Sequence, residues 1–280
     1  GSCLYLVATP IGNLEDMTVR AINILKSSAV IAAEDTRQTK KLCHYFEIET
    51  PIISYHEHNK QVSGEKVIAL LYEGKDVALV SDAGMPTISD PGYELVVSAI
   101  KGQIFVVPLP GPNAALTALI ASGISTQPFY FFGFLHRQKK EKKKQLEQLK
   151  KVQATLLFYE APHRLKETLQ AIEEILGNRK ITLSRELTKK FEEFIRGNVK
   201  EILNWAEEDI IRGEFVIVVE GASQDMEDEE QQWWQDYSIV EHVNHYIEHE
   251  NLTSKDAIKK VAVERNQPKR EIYQEFHNKP

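Results

Sequence analysis

The chain has 280 residues, enough for two domains, with 42% apolar and 27% charged residues, an ordinary balance for a globular protein. No apolar run approaches the ~18 residues that a membrane span needs, and Gly1 to Thr9 shows no basic segment followed by a cleavage site, so no secretion signal is expected. A net charge of −7 argues against coating a polyanion by bulk charge, and two cysteines, Cys3 and Cys43, are too few for a disulfide framework or a thiolate zinc site. A reducing, cytoplasmic setting is expected.

From the N-terminus, short apolar runs at Leu4–Ala8, Val30–Ala33, Ile52–Ser54, Val77–Val80 and Ile104–Val107 read as strands. Between them, Thr18–Lys26, Thr36–Tyr45, Val62–Tyr72 and Pro91–Ile100 carry apolar residues at helical spacing. That alternation predicts an α/β domain over 1–115 with a parallel sheet. After a helix at Ala114–Ser122, the runs Phe129–Phe132, Thr155–Tyr159, Ile181–Glu186, Phe191–Arg196 and Phe215–Glu220 follow one another more directly, predicting a second α/β domain over 116–222 with a mixed sheet. Residues 223–232 read as an acidic linker, and 233–280 as helices around a turn, with Thr253 as a cap and Pro268 opening the last segment.

Charge is unevenly spread. Residues 137–151 hold eight Lys or Arg against two Glu, a local +6 that leaves −13 for the rest of the chain. Lys139, Lys140, Lys143 and Lys144 in this run are candidate contacts to an RNA backbone, as are Lys259 and Arg270 in the tail, because phosphate contacts dominate nucleic-acid affinity. The competing reading is a solvated amphipathic helix. Trp233 and Trp234 read as packing anchors, with base stacking as the alternative.

Five polar or Gly/Pro-rich turns directly follow predicted strands, where open parallel sheets place their ligand crevices. No phosphate-cradling glycine motif of the G-x-G-x-x-G or G-x-x-x-x-G-K-[ST] type occurs. Prolines 10, 86, 110 and 112 remove donors and leave carbonyls, which suits a cationic or apolar cofactor. Asp82 and Asp90 could instead cap the helix near Pro91, and Glu34, Asp35 and Arg37 could be a helix start with an internal ion pair. His56 and His58 lack a third ligand, so no metal site is expected.

The segments Val7-Ala8-Thr9-Pro10-Ile11-Gly12-Asn13-Leu14, Ala33-Glu34-Asp35-Thr36-Arg37, Phe158-Tyr159-Glu160-Ala161-Pro162-His163-Arg164 and the dodecapeptide Ser81 to Gly92 carry a resemblance. With Pro110 to Ala115, Arg185 to Lys189 and Gly213 to Phe215, they make about residues 4–222 similar to the tetrapyrrole-methylase-fold enzymes that methylate small-subunit ribosomal RNA. The resemblance implies a two-domain α/β fold of the class III methyltransferases, here with a small helical C-terminal module, and a homodimer. It implies S-adenosylmethionine as cofactor and 2′-O-methylation of a cytidine in the decoding region, with the assembled subunit as the expected substrate. By motif position, Ile11, Asp82, Met85, Pro112, Asn113, Ala114, Tyr159, Glu160, Leu187, Glu214 and Phe215 would line the cofactor cleft.

A ribose hydroxyl is a weak acid, so a group within reach must take its proton. Glu34, Asp35, His56 and Lys189 are the candidates by location, with Arg37 and Lys189 able to hold adjacent phosphates. Two other functions fit the same residues: methylation of a tetrapyrrole-like small molecule, and an inert RNA-binding assembly factor that keeps the cofactor pocket.

Overall fold

In the computed structural model, residues 1–224 and 233–278 are described. The predicted linker therefore falls almost wholly outside the described residues. The chain divides into two compact units, a large one of residues 1–150 with 154–220 and a small one of 151–153 with 221–280.

The large unit contains two five-stranded sheets. The first is entirely parallel, ordered β3-β2-β4-β1-β5, from β1 (Cys3–Val7), β2 (Val30–Ala33), β3 (Ile52–Ser54), β4 (Val77–Val80) and β5 (Phe105–Pro108). Period-2 alternation decides which helices each face receives. Tyr5 and Val7 point into the core under α1 (Val19–Ser27) and α2 (Thr36–Tyr45), whereas Leu4 and Leu6 join the core formed with α3 (Lys60–Tyr72) and α4 (Tyr93–Lys101). Because all five strands run the same way, the five polar turns converge on one sheet edge. The chain leaves β1 toward β2 and leaves β4 toward β5, so the crevice at the switch point opens between β1 and β4. Paired backbone hydrogen bonds between Thr9 and Gly84, 3.0 and 2.9 Å, hold those two turns together there.

The second sheet is mixed, as its sparse crossovers predict. Its order is β6-β7-β10-β8-β9, from β6 (Phe129–Phe134), β7 (Thr155–Glu160), β8 (Lys180–Arg185), β9 (Glu193–Asn198) and β10 (Phe215–Val219), with only β6 and β7 parallel. Helix α5 (Ala114–Ala121) buries Ala115, Ala118 and Leu119 against Leu157, Val216 and Val218 of this sheet. Helices α6 (Lys139–Leu149), α7 (Leu165–Leu176) and α8 (Val199–Glu208) pack side by side. The strand expected from Phe191 begins two residues later, at Glu193, and Phe191 is 76% exposed. Its aromatic ring counts toward strand propensity, but the Thr188 backbone N–H donates to Glu192 Oε2 at 2.6 Å, so the turn consumes those residues.

The small unit has its own core, built by α9 (Ile239–His249), α10 (Ser254–Glu264) and α11 (Lys269–His277) around Val243, Tyr246, Ile258, Val261 and Ile272. Thr253 caps α10 through the Asp256 N–H, as predicted. Trp233 and Trp234 serve as packing anchors: Trp233 meets His242 edge-on at 5.2 Å, and Trp234 stacks on His242 at 5.1 Å and carries the Arg265 guanidinium on its ring. Of the cysteines, Cys43 is buried and Cys3 only half-buried. No helix among the described residues is long and apolar enough to cross a membrane.

Candidate active site

A cavity of about 400 Å³ opens in the large unit, walled by turns of the first sheet, the N-terminus of α5, and the ends of β7, β8 and β10. Ile11, Met85, Asn113, Ala114, Tyr159, Glu160, Leu187, Glu214 and Phe215 line it, with Ser89, Asp90, Phe134, Glu186 and Lys189. Local chemistry fixes each wall. Asn113 caps α5 by accepting the Leu116 N–H at 2.9 Å, which sets the turn after β5. Asn13 Nδ2 donates to the Thr188 carbonyl at 3.1 Å and ties the β1 turn to the β8–β9 turn. A Cβ at Gly12 would meet Lys189 Cε at 2.8 Å and Thr188 Oγ1 at 3.0 Å, so a larger residue here would have to displace the Lys189 side chain from the cavity wall. In the β8–β9 turn, Glu186 and Thr188 hold φ of 54° and 69°, and the buried Thr188 hydroxyl has no partner among the described residues. Strained backbone of this kind gathers at ligand sites.

The electrostatics are lopsided. Asp90, Glu186 and Glu214 line the cavity, and Lys189, 3.2 Å from Glu186, is the one cation lining it among the described residues. Asp90 lies within hydrogen-bonding reach of Glu34 at the end of β2. Burial, followed by the charges of Asp90 and Asp82, pushes the Glu34 carboxyl up to about 7, and burial also raises Asp90. With the two carboxyls this close, each charge makes it harder to ionise the other. Burial raises the Tyr159 hydroxyl as well, its ring set edge-on between Phe131 and Phe134 at 5.1 and 5.6 Å.

Residues 3–203 match the family model described as "Tetrapyrrole (Corrin/Porphyrin) Methylases". The chain is 67% identical to the Ribosomal RNA small subunit methyltransferase I of Bacillus subtilis (strain 168), over 99% of this chain and 94% of that protein. It belongs to this methyltransferase family. A protein of the same name from Synechocystis sp. (strain ATCC 27184 / PCC 6803 / Kazusa) is 42% identical over 97% of this chain and 96% of its own length. Solved structures with the same fold include diphthine synthase, TM-score 0.61 at 12% identity over 81% of this chain and 94% of that one. Another is the cobalt precorrin-4 methyltransferase of cobalamin biosynthesis, TM-score 0.59 at 16% identity over 78% and 94%.

Methyltransferases of this family imply S-adenosylmethionine, and the cavity's chemistry fits it: apolar walls from Ile11, Met85, Leu187 and Phe215, and a net-negative polar lining that favours a sulfonium over a phosphate. Two of the residues expected in the cleft are not among those lining this cavity: Pro112, whose carbonyl oxygen stands 3.5 Å from where a Cβ on Gly84 would be, and Asp82, which lines a neighbouring cavity. Glu160 is only 2% exposed, and its carboxylate accepts from the Ala161 N–H, Thr168 Oγ1 and Arg164 Nε at 2.8, 2.6 and 3.4 Å. It shapes the cavity wall rather than offering a free charge.

The base candidates separate. Asp35 caps α2 through the Arg37 N–H and pairs with the Arg37 guanidinium at 3.5 Å, so the helix-start reading describes both; that hydrogen bond holds its carboxyl below the usual range. His56 does not line the cavity; its Nδ1 accepts the His58 N–H in the turn before α3. Lys189 lines the cavity, and Glu34 reaches its wall through Asp90. Neither Asp82 nor Asp90 caps α4, whose cap is Gly92 at φ 139°. Asp90 and Glu186 went unselected as site residues in the sequence although both lie within the motifs, because their placement depends on turns that no periodicity encodes. Among the described residues, no group of three or more His, Cys, Asp or Glu is arranged to hold a metal.

The basic run divides in the same way. Lys139, Lys140 and Lys144 are exposed, although Lys144 lies 3.5 Å from Glu141, and Lys143 pairs with Glu174 at 2.7 Å. Lys142 is fully buried and donates to Thr168 Oγ1 at 2.8 Å. Lys259 and Arg270 are exposed on α10 and α11.

Proposed function

We propose that the protein methylates small-subunit ribosomal RNA at the ribose 2′-hydroxyl of a decoding-region cytidine, using S-adenosylmethionine, and acts as a homodimer. The observation that carries the chemistry is the Glu34–Asp90 carboxyl pair at the wall of the acidic cavity. The bound cofactor supplies an electrophilic methyl group. Ile11, Met85, Leu187 and Phe215 exclude water from it, while Asp90 and Glu214 offer the sulfonium its counter-charge. Glu34, near neutrality in the folded state, takes the 2′-hydroxyl proton as the hydroxyl oxygen bonds to carbon. Lys189 and Arg37 hold flanking phosphates.

Both relatives named above carry the name of a small-subunit RNA methyltransferase, and the exposed Lys139, Lys140 and Lys144 favour RNA over a free macrocycle. Exposed apolar side chains Phe105, Leu116, Ile120, Phe129 and Tyr130, around the edge strands β5 and β6 and on α5, support a dimer face. The test is incubation with methyl-labelled S-adenosylmethionine and small subunits from cells lacking the activity, followed by nuclease mapping. Label on the 2′-oxygen of one cytidine is the expected result; cofactor binding with no transfer to subunits or RNA would overturn it.

A further inference from the structure

A second cavity of about 310 Å³ lies across the β1 turn from the cofactor cavity. The turn is the shared wall: Ile11 lines the first cavity, and Pro10, Gly12 and Leu14 line the second. Gln38, Thr39, Lys41, Leu42 and Tyr45 on α2 also line the second cavity, as do Thr9 and, after β4, Ser81 and Asp82. Nothing proposed so far uses it except Asp82, which the sequence motifs place with the cofactor.

We infer that this cavity holds the unpaired base of the nucleotide being methylated, with Tyr45 as its stacking platform and Asp82 reading the exocyclic amine of a cytosine. The inference rests on the RNA-ribose reading above. Three observations carry it. Tyr45 is 62% exposed beside Leu42 and Leu14, an aromatic face at the mouth of a polar-floored pocket. Every base offers a π-face to such a platform. Thr39, 4% exposed, brings a hydroxyl to the same cavity. Asp82 accepts the Asp35 N–H through Oδ1 at 3.0 Å, while its Oδ2 has no partner among the described residues. A carboxylate that accepts and a hydroxyl that donates, both lining one cavity, offer the partners that the cytosine edge needs, an amine donor next to an acceptor. Finally, the carboxylates join the two cavities: Asp82 lines the second, Asp90 lines the first, and Glu34 interacts with both. A sugar whose base sits in the second cavity presents its hydroxyl near the seam, where the proton acceptor and the methyl donor meet.

The test compares wild type, Tyr45→Ala, Tyr45→Phe and Asp82→Asn on small subunits carrying cytidine or uridine at the target position, with S-adenosylmethionine affinity measured separately by calorimetry. Tyr45→Ala should lower kcat/KM about 5- to 100-fold with cofactor affinity unchanged, and Tyr45→Phe should retain most activity, since stacking needs only the ring. Wild type should favour cytidine about 10-fold or more, and Asp82→Asn should narrow that ratio, a readout that a uniform loss of activity leaves unmoved. Wild-type kcat/KM for Tyr45→Ala, or a parallel loss of cofactor affinity, would overturn the base pocket. Absence of transfer by the wild-type protein to either subunit would instead overturn the RNA reading, and the pocket with it.

Discussion

Glu34 carries most of the chemistry proposed for one residue. Its carboxyl sits at about 7 rather than the ordinary 4.5 because ionising it means placing a charge beside Asp90 and Asp82 with reduced access to water. Only the ionised form accepts a proton, so kcat/KM, which reports the ligand-free protein, should rise with pH through about 7 and level above it, and Glu34→Gln should lower kcat/KM and flatten that limb. A rate profile indifferent to the substitution would remove Glu34 from the reaction. The same shift acts on stability with the opposite preference. The folded state binds this proton more tightly than the unfolded chain, so the contribution is full below about 4.5 and is lost as pH rises through about 7. Glu34→Gln should therefore raise the Tm at pH 8 by a few degrees, on the order of 1 kcal/mol after allowing for solvent screening, and leave it nearly unchanged at pH 4. Thermal melts at the two pH values check the sign.

At the scale of elements, the end of β7 is held in place by a buried polar relay rather than by apolar packing alone. Lys142 of α6 donates to Thr168 of α7, whose hydroxyl donates in turn to Glu160, the last residue of the strand. All three are buried, and while Glu160 Oε1 also accepts from Ala161 and Arg164, its Oε2 and the Lys142 ammonium meet at the Thr168 hydroxyl. Thr168→Val keeps the shape but leaves the Lys142 ammonium and one Glu160 oxygen without that hydroxyl, and it should cost about 1–3 kcal/mol of stability. Denaturant unfolding reads this directly; an unchanged midpoint would show that water or a rearranged Arg164 replaces the link. The sequence displays Lys142 as one more member of a basic run. Helical spacing puts position 142 on the face of Leu146 and Leu149, four and seven residues on, but a lysine there reads as charged surface, and only the Thr168 hydroxyl it meets on α7 accounts for its burial.

For the whole molecule, the question is how a chain of net charge −7 approaches a polyanion. Of the four candidate contacts in the basic run, the structure leaves Lys139, Lys140 and Lys144 exposed, the last 3.5 Å from Glu141, and pairs Lys143 with Glu174. Replacing those three with Ala should reduce the salt dependence of RNA binding by roughly 0.7–0.9 in slope for each phosphate no longer neutralised, with cofactor affinity unchanged. Binding isotherms at several salt concentrations measure the slope; the wild-type value in the triple variant would assign the run to solvation alone. The helical unit stands on its own core, and its His242 ring, buried and bonded to Glu264 and Arg265, is structural rather than available to RNA.

The sequence by itself determined the order of elements, the parallel character of the first sheet and the mixed character of the second. Those follow from local spacing: period 2 or 3.6, turn residues, and the length of chain between strands. It also marked the turns that wall the acidic cavity, because ligand-facing turns of a parallel sheet must follow its strands. Tertiary structure alone decided which motif residues face the cavity. It paired Glu34 with Asp90 and sent Asp82 to the far side of the β1 turn. It buried Lys142 against Thr168 of another helix. Those outcomes depend on hydrogen bonds between segments far apart in sequence, such as Asn13 with Thr188 and Lys142 with Thr168, and no local pattern carries them.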